Sequence, residues 1–486
     1  MIATKNLISS IIFFTLLLYI KSVDITLSST MTDVEESTYS ISSNVLSLNA
    51  STDYTLSGSC SNCKIEVEKG ITAIITLNSV TIENSNSGPF VIKKNSDIKI
   101  ILEGESTITD SETDESSSDY EGAGIKFKSS SSLTIDGDGK LNVNGNIKNG
   151  IKGGSASNLT ISGGTLNIKA VNNALAADGS VTINDGTLTI TTTEGDGIKS
   201  DPDYGDEDSE GKITINGGSF NINAYNDGIQ AKTKLTITGG DFNIKTYTNG
   251  ASSTDFDKDE DSAKGLKCSY NETAEIVLNI TGGTFVLDTA DDSIHSDGNV
   301  TITGGTFEIS SGDDAVHADE YLILGKKNAD DSLIKMNILK SYEGLEGATI
   351  YIYSGTYNII SSDDGINSAG DTDESCDMGP GGNNNGGGPG GNDNRGGPFR
   401  QQGNNLRRNL KKRKLADCYI FHMYIYGGEI FVNAEADGLD ANGNIEISGG
   451  NITVWGAKTG SDGDPIDMDG TLTISGGTVF AGVAKQ

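Results

Sequence analysis

The chain has 486 residues, with 63 Gly and only 6 Pro, and its 68 acidic residues outweigh 35 basic ones to leave a net charge of −33. This balance excludes a general nucleic-acid binder, because phosphate contacts need clustered Lys and Arg. It leaves bound cations, or a neutral or sparsely charged partner, as the counterpart of an acidic surface.

The N-terminus reads as an export signal. Lys5 supplies a positive start, an apolar run from Leu7 to Ile20 is broken only by Ser9, Ser10 and Thr15, and Ile20-Lys21-Ser22 ends in a small residue suited to cleavage. Residues 7–20 are too few to span a bilayer. Residues 1–22 are therefore predicted as a signal peptide, and the protein as secreted or cell-surface with no membrane span. Five cysteines fit an oxidising compartment. Cys60 and Cys63 sit in a Gly/Ser turn where a local bridge fits. Cys376 and Cys418 bracket an unusual segment and are predicted to be bridged, which leaves Cys268 over. Asn-x-Ser/Thr sequons stand at Asn49, Asn158, Asn271, Asn279, Asn299 and Asn451.

Residues 45–110 alternate apolar and polar, as in Ile74 to Ile82 and Ile98 to Ile108, and are predicted as strands. From about residue 120 one pattern dominates: apolar-Thr-Ile-x-Gly-Gly-x-apolar-x-apolar. It appears at Leu159 to Ile168, Ile213 to Ile222, Leu235 to Ile244, Leu278 to Leu287, Val300 to Ile309 and Ile445 to Val454, with several starts 22 residues apart. A second motif, acidic-small-apolar, alternates with it, as in Asp196-Gly197-Ile198, Asp227-Gly228-Ile229 and Asp314-Ala315-Val316. Period-2 alternation in short β-branched blocks means strand. A 22-residue unit of three short strands without a helix predicts one turn of a right-handed parallel β-helix over residues 23–370 and 419–486. The Gly-Gly pair fits a tight corner. Twelve apolar residues align as the opening of successive coils: Ile125, Ile151, Leu175, Ile198, Ile229, Leu266, Ile294, Val316, Leu345, Ile366, Leu439 and Ile466. Leu166, Leu188, Phe220, Phe242, Phe285, Phe307 and Tyr357 are expected to point inward and stack.

Residues 371–418 do not fit the repeat. They are Gly/Asn/Pro-rich and then basic from Arg407 to Lys414. A solvated loop folded back on an acidic body, a processing site at dibasic pairs, and an arm for an acidic polymer are all compatible with them.

The alignment stacks carboxylates. One row holds Asp196, Asp227, Lys264, Asp292, Asp314, Glu343, Asp364, Asp437 and Asp464, and in three coils the preceding residue is acidic too: Asp291, Asp313 and Asp363. Asp178, Asp201, Asp297 and Asp319 follow shortly after, in four coils. Like charges about 4.8 Å apart repel, and the sequence nearby is short of Lys and Arg to neutralise them. Oxygen ligands at this density suit Ca²⁺, with Asp291, Asp292, Asp313 and Asp314 as the leading set. Hydrogen bonding of each Asp to turn backbone is the plainer alternative. His295 and His317 lie close by and leave a transition metal as a further alternative. A second row, one residue past each aligned apolar position, runs Lys126, Lys152, Ala176, Lys199, Gln230, Lys267, His295, His317, Glu346, Asn367, Asp440 and Asp467, grading from basic to acidic. Lys152, Lys199 and Lys267 are candidates to meet uronate carboxylates of a polysaccharide. Tyr225 and Tyr247, 22 residues apart, are candidates to stack on sugar rings.

Units such as ITINGGSFNINAYNDGIQA and VTITGGTFEISSGDDAVHAD resemble those of bacterial cell-surface carbohydrate-binding β-helix proteins. The resemblance implies a polysaccharide-lyase-like fold, binding of cellulose or polygalacturonate, and bound Ca²⁺ whose ligands fall on Asp291, Asp292, Asp313, Asp314, Asp363 and Asp364. The expected function is therefore non-catalytic binding of plant-type polysaccharide by a monomer. A Ca²⁺-dependent lyase is the alternative, with Lys199 as base, although a Lys between acids should have a raised pKa. A structural adhesin is the third reading.

Overall fold

A computed structural model describes residues 22–111, 121–202, 210–258, 260–269, 274–369, 421–457 and 463–483. The predicted signal peptide before residue 22, Asn271, Cys376, Cys418 and the basic cluster all lie outside these residues. The described chain is all-β, with 43 strands, two short 3₁₀ segments and no α-helix. No helix in it is long and apolar enough to cross a membrane.

Over most of the chain each strand pairs in parallel with the strand three elements further on, so three rows of strands run along the molecule. The twelve aligned apolar residues are register partners in succession from Ile125 to Leu439, and Leu439 bridges Ile466. The reason is the period-2 pattern. Alternate residues of each strand must be buried, and a one-residue slip would turn the apolar set outward. Strand Thr187–Thr192 shows this burial alternation in full.

The predicted inward column is buried throughout. Phe220, Phe242, Phe285 and Phe307 stack with centroids 4.6–4.7 Å apart and planes within 4°. Met336 continues this column to Tyr357, whose hydroxyl donates to the Ser354 carbonyl at 2.7 Å. The second glycine of each pair turns the corner with positive φ, as at Gly240 (116°) and Gly283 (116°). A Cβ at Gly283 would lie 3.1 Å from the carbonyl oxygen of Gly240 in the preceding unit.

The N-terminal part departs from the expected regularity. Val34–Glu35, Tyr39–Ser42 and Val45–Leu48 pair antiparallel before parallel pairing resumes between Val45–Leu48 and Lys64–Val67. Ser43 and Asn44 both have positive φ, which is the backbone of a two-residue hairpin turn. The rows are also continuous on either side of residues 370–420: Ile366 pairs with Leu439, and Ile350 with Met423.

Candidate functional site

The acidic row and the row three residues after it form paired columns, and these pairs decide the electrostatics. Each corner carboxylate first serves the backbone. Asp196 accepts the N–H of Asp227 at 3.0 Å, Asp227 that of Lys264 at 2.8 Å, Asp292 that of Asp314 at 3.0 Å, Asp314 that of Glu343 at 3.0 Å, and Asp364 that of Asp437 at 2.8 Å. The other carboxylate oxygen then meets a side chain. Lys199 lies 2.7 Å from Asp196, and Lys267 lies 3.1 Å from Asp227. Lys264 bridges Asp291 and Asp292, both at 2.7 Å, and Lys258 reaches Asp313 at 2.7 Å.

This corrects the expectation that cations are scarce at the stacked aspartates. Lys264 stands in the acidic row itself, so the like-charge stack is interrupted where it is most buried. Burial pulls the Lys264 ammonium toward neutrality, but Asp292 and Asp291 outweigh it and raise its pKa. An ion on Asp291 and Asp292 would have to displace that ammonium. Lys199 behaves alike: burial opposes its charge, but Asp196, with Asp201 and Asp227, outweighs burial and raises its pKa, which favours the protonated amine. A protonated Lys is unsuited to abstract a proton. Lys152 pairs with Asp178 at 2.6 Å, and Asp201 with Lys232 at 2.8 Å.

Toward the C-terminal end histidines take the place of the lysines. His295 is held between Asp292 and Asp297, at 2.8 Å each. His317 lies 3.1 Å from Glu346, 3.4 Å from Asp314 and 3.5 Å from Asp319. Beyond it both columns are acidic or neutral. Carboxylate oxygens of Asp437, Asp440 and Asp467 lie within 4.8 Å of one another, and no ion pair with Lys, Arg or His reaches them or Asp364 among the described residues. Burial, followed by the charges of Asp363, Asp437 and Asp467, raises the Asp364 carboxyl to about 6; burial with Asp364 and Asp437 does the same to Asp440. These are oxygen donors without a cation, which is the donor set Ca²⁺ requires. Asp437, Asp440 and Asp467 were not among the expected ligands, although the absence of Lys from both rows after Lys267 marks this end.

The aromatic candidates also divide. Tyr225 and Tyr247 pack on each other at 5.0 Å, and Phe256 packs edge-on to Tyr247 at 5.3 Å, so part of this ring surface is already used. A larger array stands on the middle strands. Tyr351 and Tyr424 are register partners with rings 5.0 Å apart and 5° from parallel. Tyr353 and Tyr426 repeat the arrangement at 5.0 Å and 8°. The two pairs are 6.2 Å apart along their strands, and Tyr321 extends the array at 6.5 Å from Tyr351. Tyr426 is 43 % and Tyr321 36 % exposed; the other three are half-buried. The sequence signal was a Tyr-x-Tyr pair before each Gly corner, at 351–353 and 424–426.

Cys60 and Cys63 are joined, with Cα atoms 5.8 Å apart, whereas Cys268 is free and buried, its thiol pushed up to about 12 by burial. Of the sequons, Asn158 and Asn451 are exposed and Asn49, Asn279 and Asn299 half-buried.

A family model described as carbohydrate-binding domain-containing protein matches residues 42–315, more than half of the chain. A carbohydrate-binding domain-containing protein of Acetivibrio thermocellus is 34% identical over 122 residues, which span 24% of this chain and 42% of that relative's length. A solved structure of a polysaccharide lyase-like protein from C. thermocellum, a gadolinium derivative, is 30% identical with a TM-score of 0.41, over 46% of this chain and 91% of that one. On the extent of the family match, this chain belongs to the carbohydrate-binding domain-containing proteins.

Proposed function

We propose that this protein is a secreted, non-catalytic polysaccharide-binding protein whose strand rows wind as a right-handed parallel β-helix. Its ligand is a plant-type polysaccharide, cellulose or polygalacturonate, and Ca²⁺ occupies Asp364, Asp437, Asp440 and Asp467. The observation that carries the binding surface is the tyrosine array. Parallel rings held in register offer apolar area and polar edges to a sugar at little cost in side-chain freedom. The Lys residues first expected to meet uronate carboxylates are each engaged by an aspartate, so the array takes precedence over Lys152, Lys199 and Lys267 as the contact. Ca²⁺ supplies the positive charge that the acidic end lacks. Its part in this reading is to hold the last units together or to meet a uronate carboxylate. The protonated state of Lys199 favours binding over lyase chemistry.

The test is retention of the secreted chain on cellulose and on polygalacturonate, with Ca²⁺ or with EGTA, while ultraviolet absorbance of unsaturated product is followed. Retention without product is expected. Tyr351→Ala and Tyr424→Ala should each weaken it by about tenfold, the worth of about 1.4 kcal/mol, with an unchanged melting temperature. Undiminished retention in both variants would move the sugar site elsewhere, and accumulating product would make the protein a lyase.

A further inference from the structure

We infer that Asp314, His317 and Glu346 form a transition-metal site, separate from any Ca²⁺ at the acidic end and independent of the sugar-binding reading. Two neighbouring strands and the corner before the first build it. Asp314 sits at the corner that leads into Val316–Leu324, His317 is the second residue of that strand, and Glu346 is the second residue of Leu345–Ile352. His317 and Glu346 are direct register partners, so the site is fixed by backbone pairing.

The spacing suits a small ion. His317 Nδ1 is 3.4 Å from Asp314 Oδ2 and 3.1 Å from Glu346 Oε2, and the three donors lie within 4.8 Å of one another. A tetrahedral ion with bonds of about 2.0–2.2 Å sets its ligands roughly 3.3–3.6 Å apart. One imidazole and two carboxylates leave the fourth position for water. Such a mixed set favours Zn²⁺ or its neighbours over Ca²⁺, which takes oxygen alone.

The surroundings are arranged as an outer shell. Asp319 Oδ1 faces the other ring nitrogen of His317 at 3.5 Å, the carboxylate–histidine relation that orients a ligating imidazole. The Glu343 backbone N–H fixes Asp314 through its Oδ1, leaving Oδ2 for the ion. His295, clamped by two aspartates, packs edge-on against His317 at 4.9 Å. Three carboxylates, those of Asp314, Glu346 and Asp319, stand within 3.5 Å of the His317 ring nitrogens. Lys264, which neutralises Asp291 and Asp292, is not among the partners of Asp314 or Glu346.

The experiment is calorimetric titration of the full secreted chain with ZnCl₂ in the presence of excess Ca²⁺. Saturable Zn²⁺ binding is expected, with His317→Gln and Glu346→Gln each weakening it by on the order of 100-fold and Glu308→Gln, at an exposed strand position, leaving it unchanged. Circular dichroism checks that each variant is folded; if His317→Gln fails to fold, Glu346→Gln decides. Zn²⁺ binding that excess Ca²⁺ abolishes, or that survives both ligand substitutions, overturns the site.

Discussion

At the scale of single residues, the recurring unit is an acid and the side chain three positions later: Asp196 with Lys199, Asp292 with His295, Asp314 with His317, Glu343 with Glu346, Asp437 with Asp440. Both rows were legible in the sequence, because register follows from the apolar pattern. Their pairing was not, since rotamers decide whether a Lys serves the acid of its own coil, as Lys199 does with Asp196, or that of a neighbouring coil, as Lys264 does with Asp291 and Asp292. Lys264→Gln leaves buried Asp291 without its cation and Asp292 with His295 alone. It should cost about 3–5 kcal/mol in denaturant unfolding; an unchanged midpoint would show that these carboxylates do not rely on Lys264. At the acidic end the sign of the pH response is reversed from that of paired carboxylates. Asp364 and Asp440 are raised to about 6 in the folded chain, so the folded state holds protons that the unfolded state has released. In EGTA, stability should therefore fall as pH rises from about 4 to 6, between the ordinary Asp value and the raised one. Added Ca²⁺ should flatten that slope in melting curves, and a slope indifferent to Ca²⁺ would remove the metal from this end.

At the scale of elements, the Phe column and the Gly corners depend on each other. The ring of Phe242 approaches the Cβ position of Gly240 to 3.1 Å, so the flat stack exists because the corner carries no side chain. Phe242→Ala should cost about 3–5 kcal/mol, read as a lower denaturation midpoint. Gly283→Ala should also destabilise, because φ is 116° there and the Gly240 carbonyl stands 3.1 Å away. The inward column was readable because each aromatic is followed two residues later by an aliphatic. The antiparallel strands of residues 34–48 were not, because alternation reports burial and not the direction of the partner strand. Only the polar turn at Ser43-Asn44 hinted at a reversal. The tyrosine array was overlooked for a related reason. A Tyr on a strand is inward or outward by one step of phase, and Tyr351 and Tyr424 occupy the outward phase beside buried Ile350 and Met423.

At the scale of the whole molecule, strands touch mainly their neighbours in the stack, so stability accrues unit by unit. The rows continue from Ile366 to Leu439 and from Ile350 to Met423 although 370–420 intervene in sequence. Elsewhere the same connection is short: Ser296 passes to Asn299 through Asp297 and Gly298 alone. Replacing residues 369–421 by such a two-residue link between Ser368 and His422 should keep the circular dichroism spectrum and shift the melting temperature by only a few degrees; global unfolding would give that segment a structural role. The graded outer row has a consequence for the molecule in solution. With Lys126 and Lys152 toward one end and Glu346 and Asp440 toward the other, this outer row grades from basic to acidic along the stack. At low ionic strength a row so graded favours encounters of end with opposite end, and salt at the physiological level, with a screening length of about 8 Å, weakens that preference.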